Sequence, residues 1–500
     1  MGFATALSYF NSTTPAAVCF FLVTQPSVDK LPTPNPQLPP PRTSIANLPV
    51  KLAYVLHPQK NLYSMSVFTH YVNHNSITHQ RLVLFVDMNS FFARCEQQVN
   101  YWLRGRPVAV CVYTGRFGAA IALSTEAKQR GLKAGKRLDE LVAQCPDLVP
   151  VETHPQRYRE FHVKIMNVLK KYSDEVIPKS IDEAIMDISS YHLLYKDPRE
   201  LAMKIKADIR KDVGDWLTCS IGIAPNAFLA KLATEIQKPD GLVMITPENI
   251  DQVLGTLQLT DLPGIAEGNA TRLIKAGIRT PLELRYATPQ KLKNALHSIV
   301  GVYWHYRLNF KEVDQITHDY KAMQAMRQIS RQQRQSLDTL NELLTSLCMR
   351  LEQRMVRQQV YCKEIDVFAR FENGSGWKDR IKSDKPIQSG TEVLKLVRQR
   401  MHKFEQQHHC EPIINHYLTG IGITVSDFVP EDMINLNLFE DAIKDRNLRK
   451  VVYDIKNRFG KDKVMKAAEV GDERVLKDVI GFGSIKDFYV DGEFDADYGI

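Results

Sequence analysis

The sequence predicts a multi-domain α/β protein, and three observations carry that prediction. The chain has 500 residues, too many for one ordinary hydrophobic core, so about three or four domains are expected. Between residues 81 and 245 short apolar runs alternate with helical spacings, the pattern of a mixed sheet covered by helices. After a stretch of short helices, residues 320–430 show a second, separate α/β pattern.

Residues 1–80 are expected to lie outside the folded part. The apolar run 16–23 is far short of the ~20 residues that span a bilayer, and no Lys or Arg precedes Lys30. LPTPNPQLPPPR (31–42) predicts an extended, unstructured linker. An upstream start choice, with Met65 as the candidate true start, would also account for the segment, and a divergent signal peptide is the competing reading.

Order begins at Arg81. RLVLFVD (81–87) is an apolar run ending in an acid, which predicts a buried strand. MNSFFARCEQQVN follows with helical spacing at Phe91, Cys95 and Val99, and Asn89 or Ser90 can cap it. PVAVCVY (107–113) and AAIALS (119–124) predict two more strands, and TEAKQRG (125–131) a short helix closed by Gly131. Helices are expected at 157–172 and 199–213, and between them VIPKSIDEAIMDIS runs from a turn into a strand. LTCSIGIA (217–224) predicts a strand, and FLAKLATEIQKPDG a helix ending at 239–241. Residues 246–312 read as short helices. Beyond them come a long helix (336–359), strand-like YCKEIDVFARF, a helix at 391–407 and strand-like YLTGIGITVSDF.

Composition narrows the class. At 44% hydrophobic and 24% charged the chain is an ordinary globular protein, and its net charge of +8 permits a polyanionic partner. Residues 321–410 hold 17 Lys/Arg against 10 Asp/Glu, so most of the surplus sits in one segment. A solvated basic face is the competing reading of that surplus. The 8 cysteines form no CxxC and no paired His spacing, which argues against a zinc site or a disulfide framework and for reduced thiols in the cytoplasm.

The acids are more informative. Asp87 ends a buried apolar strand, and Asp182 and Glu183 stand in a turn before another. A buried unpaired carboxylate loses its hydration, a cost that a divalent cation offsets. Mg²⁺ takes one or two carboxylates with phosphate oxygens and water, and two ions ~4 Å apart can activate a hydroxyl and stabilise a leaving pyrophosphate. A solvated turn is the competing reading of Asp182 and Glu183, while Asp187, deeper in its strand, reads as structural.

The residues around these acids resemble a known family. VDMNSFFARCEQ (86–97) resembles the first motif of the Y-family (translesion) DNA polymerases, KSIDEA (179–184) resembles the second, and SIGIAPNAFLAKLATEIQKPDG (220–241) is similar to the family's palm segment. The resemblance extends from about residue 82 to about residue 490. It implies a right-hand polymerase: a ferredoxin-like palm over 81–245 with small fingers inserted at about 105–155, a helical thumb over 246–315, an α/β little finger over 316–430 and a tail over 431–500. It also implies Asp87, Asp182 and Glu183 as catalytic carboxylates holding two Mg²⁺ ions, with the Met88 carbonyl as a further metal contact. Phe92 falls at the steric gate, where a ring leaves no room for a 2′-hydroxyl. Phe91, Phe92, Lys128 and Lys238 are the implied triphosphate-binding residues, and Lys231 an implied DNA contact.

Three positions depart from the commonest pattern. Asn89 stands where many members have a second acid, Thr125 where many have Tyr, and Lys128 where many have Arg, whose fork Lys does not reproduce. With the NSFFARCE wording, they make the chain look closer, within the bacterial group, to the polymerase V catalytic subunit than to polymerase IV.

DLPGIAEGNATRLIKAGI (261–278) resembles a helix-hairpin-helix whose turn at Gly264 would offer backbone N–H groups to a DNA phosphate, although Ala266 replaces the usual second Gly. In the basic segment Arg327, Arg331 and Arg334 are expected to contact phosphate, which makes binding salt-dependent. Asn435, Leu436, Leu438 and Phe439 resemble the sliding-clamp-binding peptide of bacterial polymerases, with Asn435 in place of Gln. The implied function is low-fidelity, template-directed synthesis across damaged DNA in repair and the SOS response. Its partners would be primer-template DNA, deoxyribonucleoside triphosphates, a sliding clamp and an accessory polymerase subunit, with no membrane and a cytoplasmic location. A clamp-tethered DNA-binding scaffold and a palm-fold nucleotide cyclase are the alternatives. The intact acids and palm lysines argue against the first, and the lack of a GGDEF-type signature against the second.

Overall fold

The structure, a computed structural model, describes residues 81–115, 118–191, 194–195, 197–314, 321–434 and 442–459, together with 464, 489–490 and 493–494. The chain divides into two units, Met1–Asn75 and Ser76–Ile500, and every described residue belongs to the second. The expected extension over 1–80, the clamp-like residues 435–439 and most of the tail lie outside the described residues.

The strands of the first half are β1 Val83–Met88, β2 Val108–Cys111, β3 Ala120–Leu123, β4 Val149–Glu152, β5 Val176–Pro178, β6 Glu183–Asp187, β7 Cys219–Ala224 and β8 Leu242–Met244. Five of them form a mixed sheet in the order β5-β6-β1-β7-β8. Its centre, β1, runs antiparallel to both β6 and β7, while β8 joins β7 in parallel. Successive strand side chains point to opposite faces, so β1 feeds two cores. Leu84, Val86 and Met88 pack with residues of the helices Phe91–Val99, Pro155–Leu169 and Pro198–Asp212. Val83 and Phe85 pack with the helix Ala227–Ile236 and the short helices between residues 250 and 308. Asp87 continues the second row, so the period of two aims it at the face under Ala227–Ile236. That helix lies close because Gly222 has no side chain, since a Cβ there would come within 2.0 Å of the Ala230 carbonyl oxygen.

Three strands form a small sheet, β3-β2-β4, with its own core of Ala109, Leu123, Leu138 and Leu141. The basic half holds β9 Ala322–Gln328, β10 Val360–Phe371, β11 Gly376–Ile387 and β12 Leu418–Pro430 in the order β11-β10-β12-β9, every pair antiparallel. The helices Leu337–Arg357 and Gly390–His408 cover one face of this sheet. The helix Ala442–Phe459 joins them through the Tyr453 hydroxyl, which donates to Glu352 Oε1 at 3.2 Å.

The apolar runs at 81–87 and 217–224 become β1 and β7, as the pattern predicts. The pattern misses β4, β8, β11 and the helix Leu138–Gln144. In β11 only Trp377, Ile381 and Ile387 are buried, and charged side chains fill most of the strand between them. No helix among the described residues is long and apolar enough to cross a membrane.

Candidate active site

The register brings the acids together. Asp87 lies directly opposite Glu183 on β6 and Ser220 on β7, and the Met88 N–H donates to the Asp182 carbonyl at 2.9 Å. Like charges facing each other across strands repel, and two lysines meet them. Lys231 Nζ pairs with Asp87 Oδ2, with Glu183 Oε1 at 2.7 Å and with Glu235 Oε1 at 2.8 Å. Lys238 Nζ reaches Asp87 Oδ2 at 3.2 Å and Glu235 Oε1 at 2.8 Å. Burial works to lower the Lys231 pKa, but Asp87, Glu183 and Glu235 outweigh it and raise the value. Burial likewise opposes ionisation of Glu235, yet Lys231 and Lys238 hold it below its ordinary value. For Asp182 burial wins: it pushes the carboxyl up, with Glu183 and Asp87 adding to it, against the Ser180 hydroxyl that donates at 2.5 Å. Asp187, at the other end of β6, is tied to Arg81 at 2.8 Å and to Ser189.

Among the described residues no three acidic, His or Cys side chains stand close enough, as placed, to hold a metal. The Lys231 ammonium instead pairs with both Asp87 and Glu183 and supplies positive charge beside them. The donor set still fits hard divalent ions: three carboxylates lie at neighbouring strand ends, and burial first, then the charges of Glu183 and Asp87, push the Asp182 carboxyl up in pKa.

The acids open onto a cleft of about 560 Å³ lined also by Met88, Asn89, Phe91, Phe92, Thr125, Lys128 and Lys238. Phe91 and Phe92 start the helix Phe91–Val99, with ring centroids 5.9 Å apart. Phe92 stacks on Tyr158 at 4.5 Å, and the Tyr158 hydroxyl donates to the buried Glu96 at 2.7 Å. The Phe92 ring is therefore pinned from behind by a tyrosine that is itself fixed. Lys128 is exposed, yet its pKa is lowered, by desolvation against the cleft wall and then by the nearby Lys238 ammonium. Thr125 contributes a buried hydroxyl that has no partner among the described residues.

Elsewhere the geometry revises expectations about DNA contacts. Lys231 is committed to three carboxylates rather than turned toward a nucleic acid. Arg327 falls in the same alternating row as Met323, Ala325 and Ile329, so it points at the helix-covered face, where burial and then the charge of Arg350 lower its pKa. Arg334 is 11% exposed and paired with Glu372 at 3.1 Å, whereas Arg331 is 89% exposed. The opposite face of that sheet carries Arg370, Lys378, Arg380 and Lys382, which sequence reasoning did not single out. Strand alternation in β11, once recognised as a strand, is the signal that would have found them. Gly264 adopts a φ of +95°, just before the helix Glu267–Lys275. Ala266 gives that helix no side-chain cap, and its carbonyl accepts from the Asn269 N–H at 2.9 Å.

Two further residues went unnoticed. Glu235 holds both lysines, and its i,i+4 spacing from Lys231 was visible in the sequence. Tyr158 lies 66 residues from Phe92, and no local pattern joins them.

The site is thus a group of acids at the strand ends of a mixed sheet under helices, beside a lysine-lined cleft. The impB/mucB/samB family pattern matches residues 86–235, and that family's C-terminal domain matches residues 321–438. The DNA polymerase IV of Pelotomaculum thermopropionicum is 30% identical over 403 residues, covering 79% of this chain and 97% of that protein. The DNA polymerase IV of Saccharolobus solfataricus is 34% identical over 218 residues, 43% of this chain and 61% of that one. Among solved structures, a Y-family DNA polymerase chimera of Dbh and Dpo4 matches with a TM-score of 0.59 at 24% identity, covering 70% of this chain and 99% of its own. An insertion ternary complex of Dbh DNA polymerase matches with a TM-score of 0.51 at 25% identity, with the same coverage.

The chain belongs to the impB/mucB/samB family, the Y-family of translesion DNA polymerases. It is a DNA-directed DNA polymerase that copies damaged templates. The relatives named above are polymerase IV enzymes, and no relative among them carries the polymerase V name that the wording around Asn89, Thr125 and Lys128 suggested.

Proposed function

We propose that nucleotidyl transfer takes place at Asp87, Asp182 and Glu183, which hold two Mg²⁺ ions with the Met88 carbonyl as a further ligand. The antiparallel register of Asp87 against Glu183, beside a cleft lined by two lysines, carries this reading. Held by these residues, two divalent ions would supply the positive charge that a primer 3′-hydroxyl needs to lose its proton and that a leaving pyrophosphate needs to depart. Lys238 and Lys128 act as point charges on the triphosphate, and their mutual repulsion is relieved by its oxygens. The Thr125 hydroxyl donates a further hydrogen bond there. Phe91 lines the cleft, and Phe92, held against Tyr158, fills the space that a ribose 2′-hydroxyl would need. Lys231 offsets the repulsion among the acids and is reassigned from the DNA contacts to that cluster.

In this reading the five-stranded sheet is the palm, the small sheet the fingers, the short helices of 246–315 the thumb and the basic domain of 316–430 the little finger. DNA lies against the turn at Gly264 and the open face of the four-stranded sheet, with Arg331 at its margin. Asn435, Leu436, Leu438 and Phe439 bind a sliding clamp, an accessory polymerase subunit joins at a damaged template, and the enzyme works in the cytoplasm.

The test is primer extension with Mg²⁺ on undamaged and abasic templates, comparing the native chain with Asp182→Ala/Glu183→Ala. Extension by the native chain alone is expected. Extension by both would overturn the site, and extension by neither, with clamp and accessory subunit supplied and DNA still bound, would leave a DNA-binding scaffold.

A further inference from the structure

The turn that carries Lys238 is held from several sides. Asn89, two residues beyond Asp87 and 5% exposed, accepts at Oδ1 from the Asp240 N–H at 2.8 Å. Its Nδ2 donates to Ser220 Oγ at 3.0 Å. Ser220 Oγ also accepts from the Gly241 N–H at 3.2 Å and donates to the Gln237 carbonyl at 3.4 Å, which uses a hydroxyl's one donor and two acceptors in full. From below, the buried Lys206 donates to the carbonyls of Asp240 and Gly241 at 2.5 and 3.1 Å and pairs with the Asp240 carboxylate at 3.0 Å. Asp240 has a φ of +60°, a left-handed backbone conformation that short polar residues tolerate and most others do not.

An amide suits position 89 because one atom must accept while the other donates. A carboxylate there would turn the Ser220 hydroxyl into a donor toward it, break the bond to Gln237 and add a third charge beside Asp87. An aliphatic side chain would leave the Asp240 N–H without its acceptor in a closely packed place. Lys238 rides on this turn. Its ammonium reaches Asp87 at 3.2 Å and Glu235 at 2.8 Å, and the turn that carries it is bonded through Asp240 to Asn89, just past the end of β1, the strand that bears Asp87.

We propose that Asn89 is a positioning residue for the incoming nucleotide: through Asp240 and Ser220 it fixes the Lys238 turn against the strand end that carries Asp87. The inference rests on Lys238 being the lysine that grips the triphosphate. Asn89 touches no reacting atom, and its effect passes through the place where the Lys238 ammonium is presented. A misplacement of ~1 Å at such a group weakens binding of the charged ligand without removing any of the carboxylates.

Single-nucleotide insertion by the full chain tests it. Asn89→Ala should raise the KM for the deoxyribonucleoside triphosphate about tenfold while kcat changes less than about threefold, and DNA affinity should stay at the native value. Asn89→Ala combined with Lys238→Ala should be no worse than Lys238→Ala alone, because both remove the same contact. Ser220→Ala, which does not line the cleft, should shift KM in the same direction by a smaller factor, and thermal melting identifies any variant that has lost its fold. Effects that multiply in the double variant, or a loss confined to kcat, would overturn the inference. An unchanged KM in Lys238→Ala alone would instead overturn the triphosphate role of Lys238, on which the inference depends.

Discussion

The five-stranded sheet around β1 and the four-stranded sheet around β10 use similar antiparallel neighbours, yet they carry charge in opposite ways. The first is covered by helices on both faces, with one core above it and another below. Its strand interiors are therefore apolar, and its ionisable groups gather at the strand ends, where Asp87, Asp182 and Glu183 meet. Among the described residues the second is covered on one face only, and the other face alternates outward with Arg370, Lys378, Arg380 and Lys382. A sheet buried on both sides concentrates chemistry at its rim, and a sheet with one wet face spreads charge over an area. One substitution should therefore cripple the first, and the second should weaken by small steps.

The sharpest break in that comparison is Asp182→Asn. Loss of this carboxylate should lower extension by on the order of 10³-fold, the scale of removing a group aimed at transition-state charge. Its effect on the fold should run the other way. Burial, helped by Glu183 and Asp87, raises the Asp182 pKa, so the folded value lies above the unfolded one. The neutral form is then the one the fold favours, and the penalty appears as pH rises through the raised value. At pH 8 in EDTA, Asp182→Asn should melt at a higher temperature than the native chain. A variant that is both inactive and less stable would make Asp182 a structural residue.

Phe92→Ala comes next. Without the ring that Tyr158 holds, ribonucleotides should be inserted with discrimination reduced ~10²-fold, on the scale by which a shaped pocket rejects one added group, while DNA affinity stays unchanged. Unaltered sugar selection would move the gate elsewhere. Ser180→Ala is subtler. Its hydroxyl lowers the Asp182 pKa, so its loss should raise that value further and, in EDTA, lower the melting temperature at pH 8 by a small margin that fades as pH falls below the ordinary carboxylate range. A melting temperature that stays native across that range would separate Ser180 from Asp182.

The comparison also explains what could be read from the sequence alone. Strands buried on both faces are continuous apolar runs, so RLVLFVD and LTCSIGIA were legible, and the acid at the end of the first stood out against them. The resemblance in motif wording supplied Asp182, Glu183, Phe92 and Lys238. Hidden from both were contacts between distant residues, such as Tyr158 under Phe92 and Asp240 on Asn89. In the one-sided sheet the reading failed differently. Arg327 stood out as one of a cluster of arginines, yet alternation with Met323 and Ala325 turns it toward the helices. Lys378 sits in a strand whose apolar positions are too few to announce it.

That last contrast gives the smallest effect and the finest test. Lys378 stands beside Phe368, Gly422 and Met326 in one row across the open face, with Arg370 two residues along β10 from Phe368. If this face follows a DNA backbone, Lys378→Ala should weaken binding only a few-fold at moderate salt. The slope of log K against log salt should become shallower by about one, the signature of one lost phosphate contact, and extension at saturating DNA should be native. Arg327→Ala, on the helix-covered side, should leave the slope unchanged and relieve the repulsion from Arg350. A shallower slope in Arg327→Ala together with an unchanged one in Lys378→Ala would put the DNA on the other side of the domain. The two-sided and one-sided sheets would then no longer differ in where they meet their substrate.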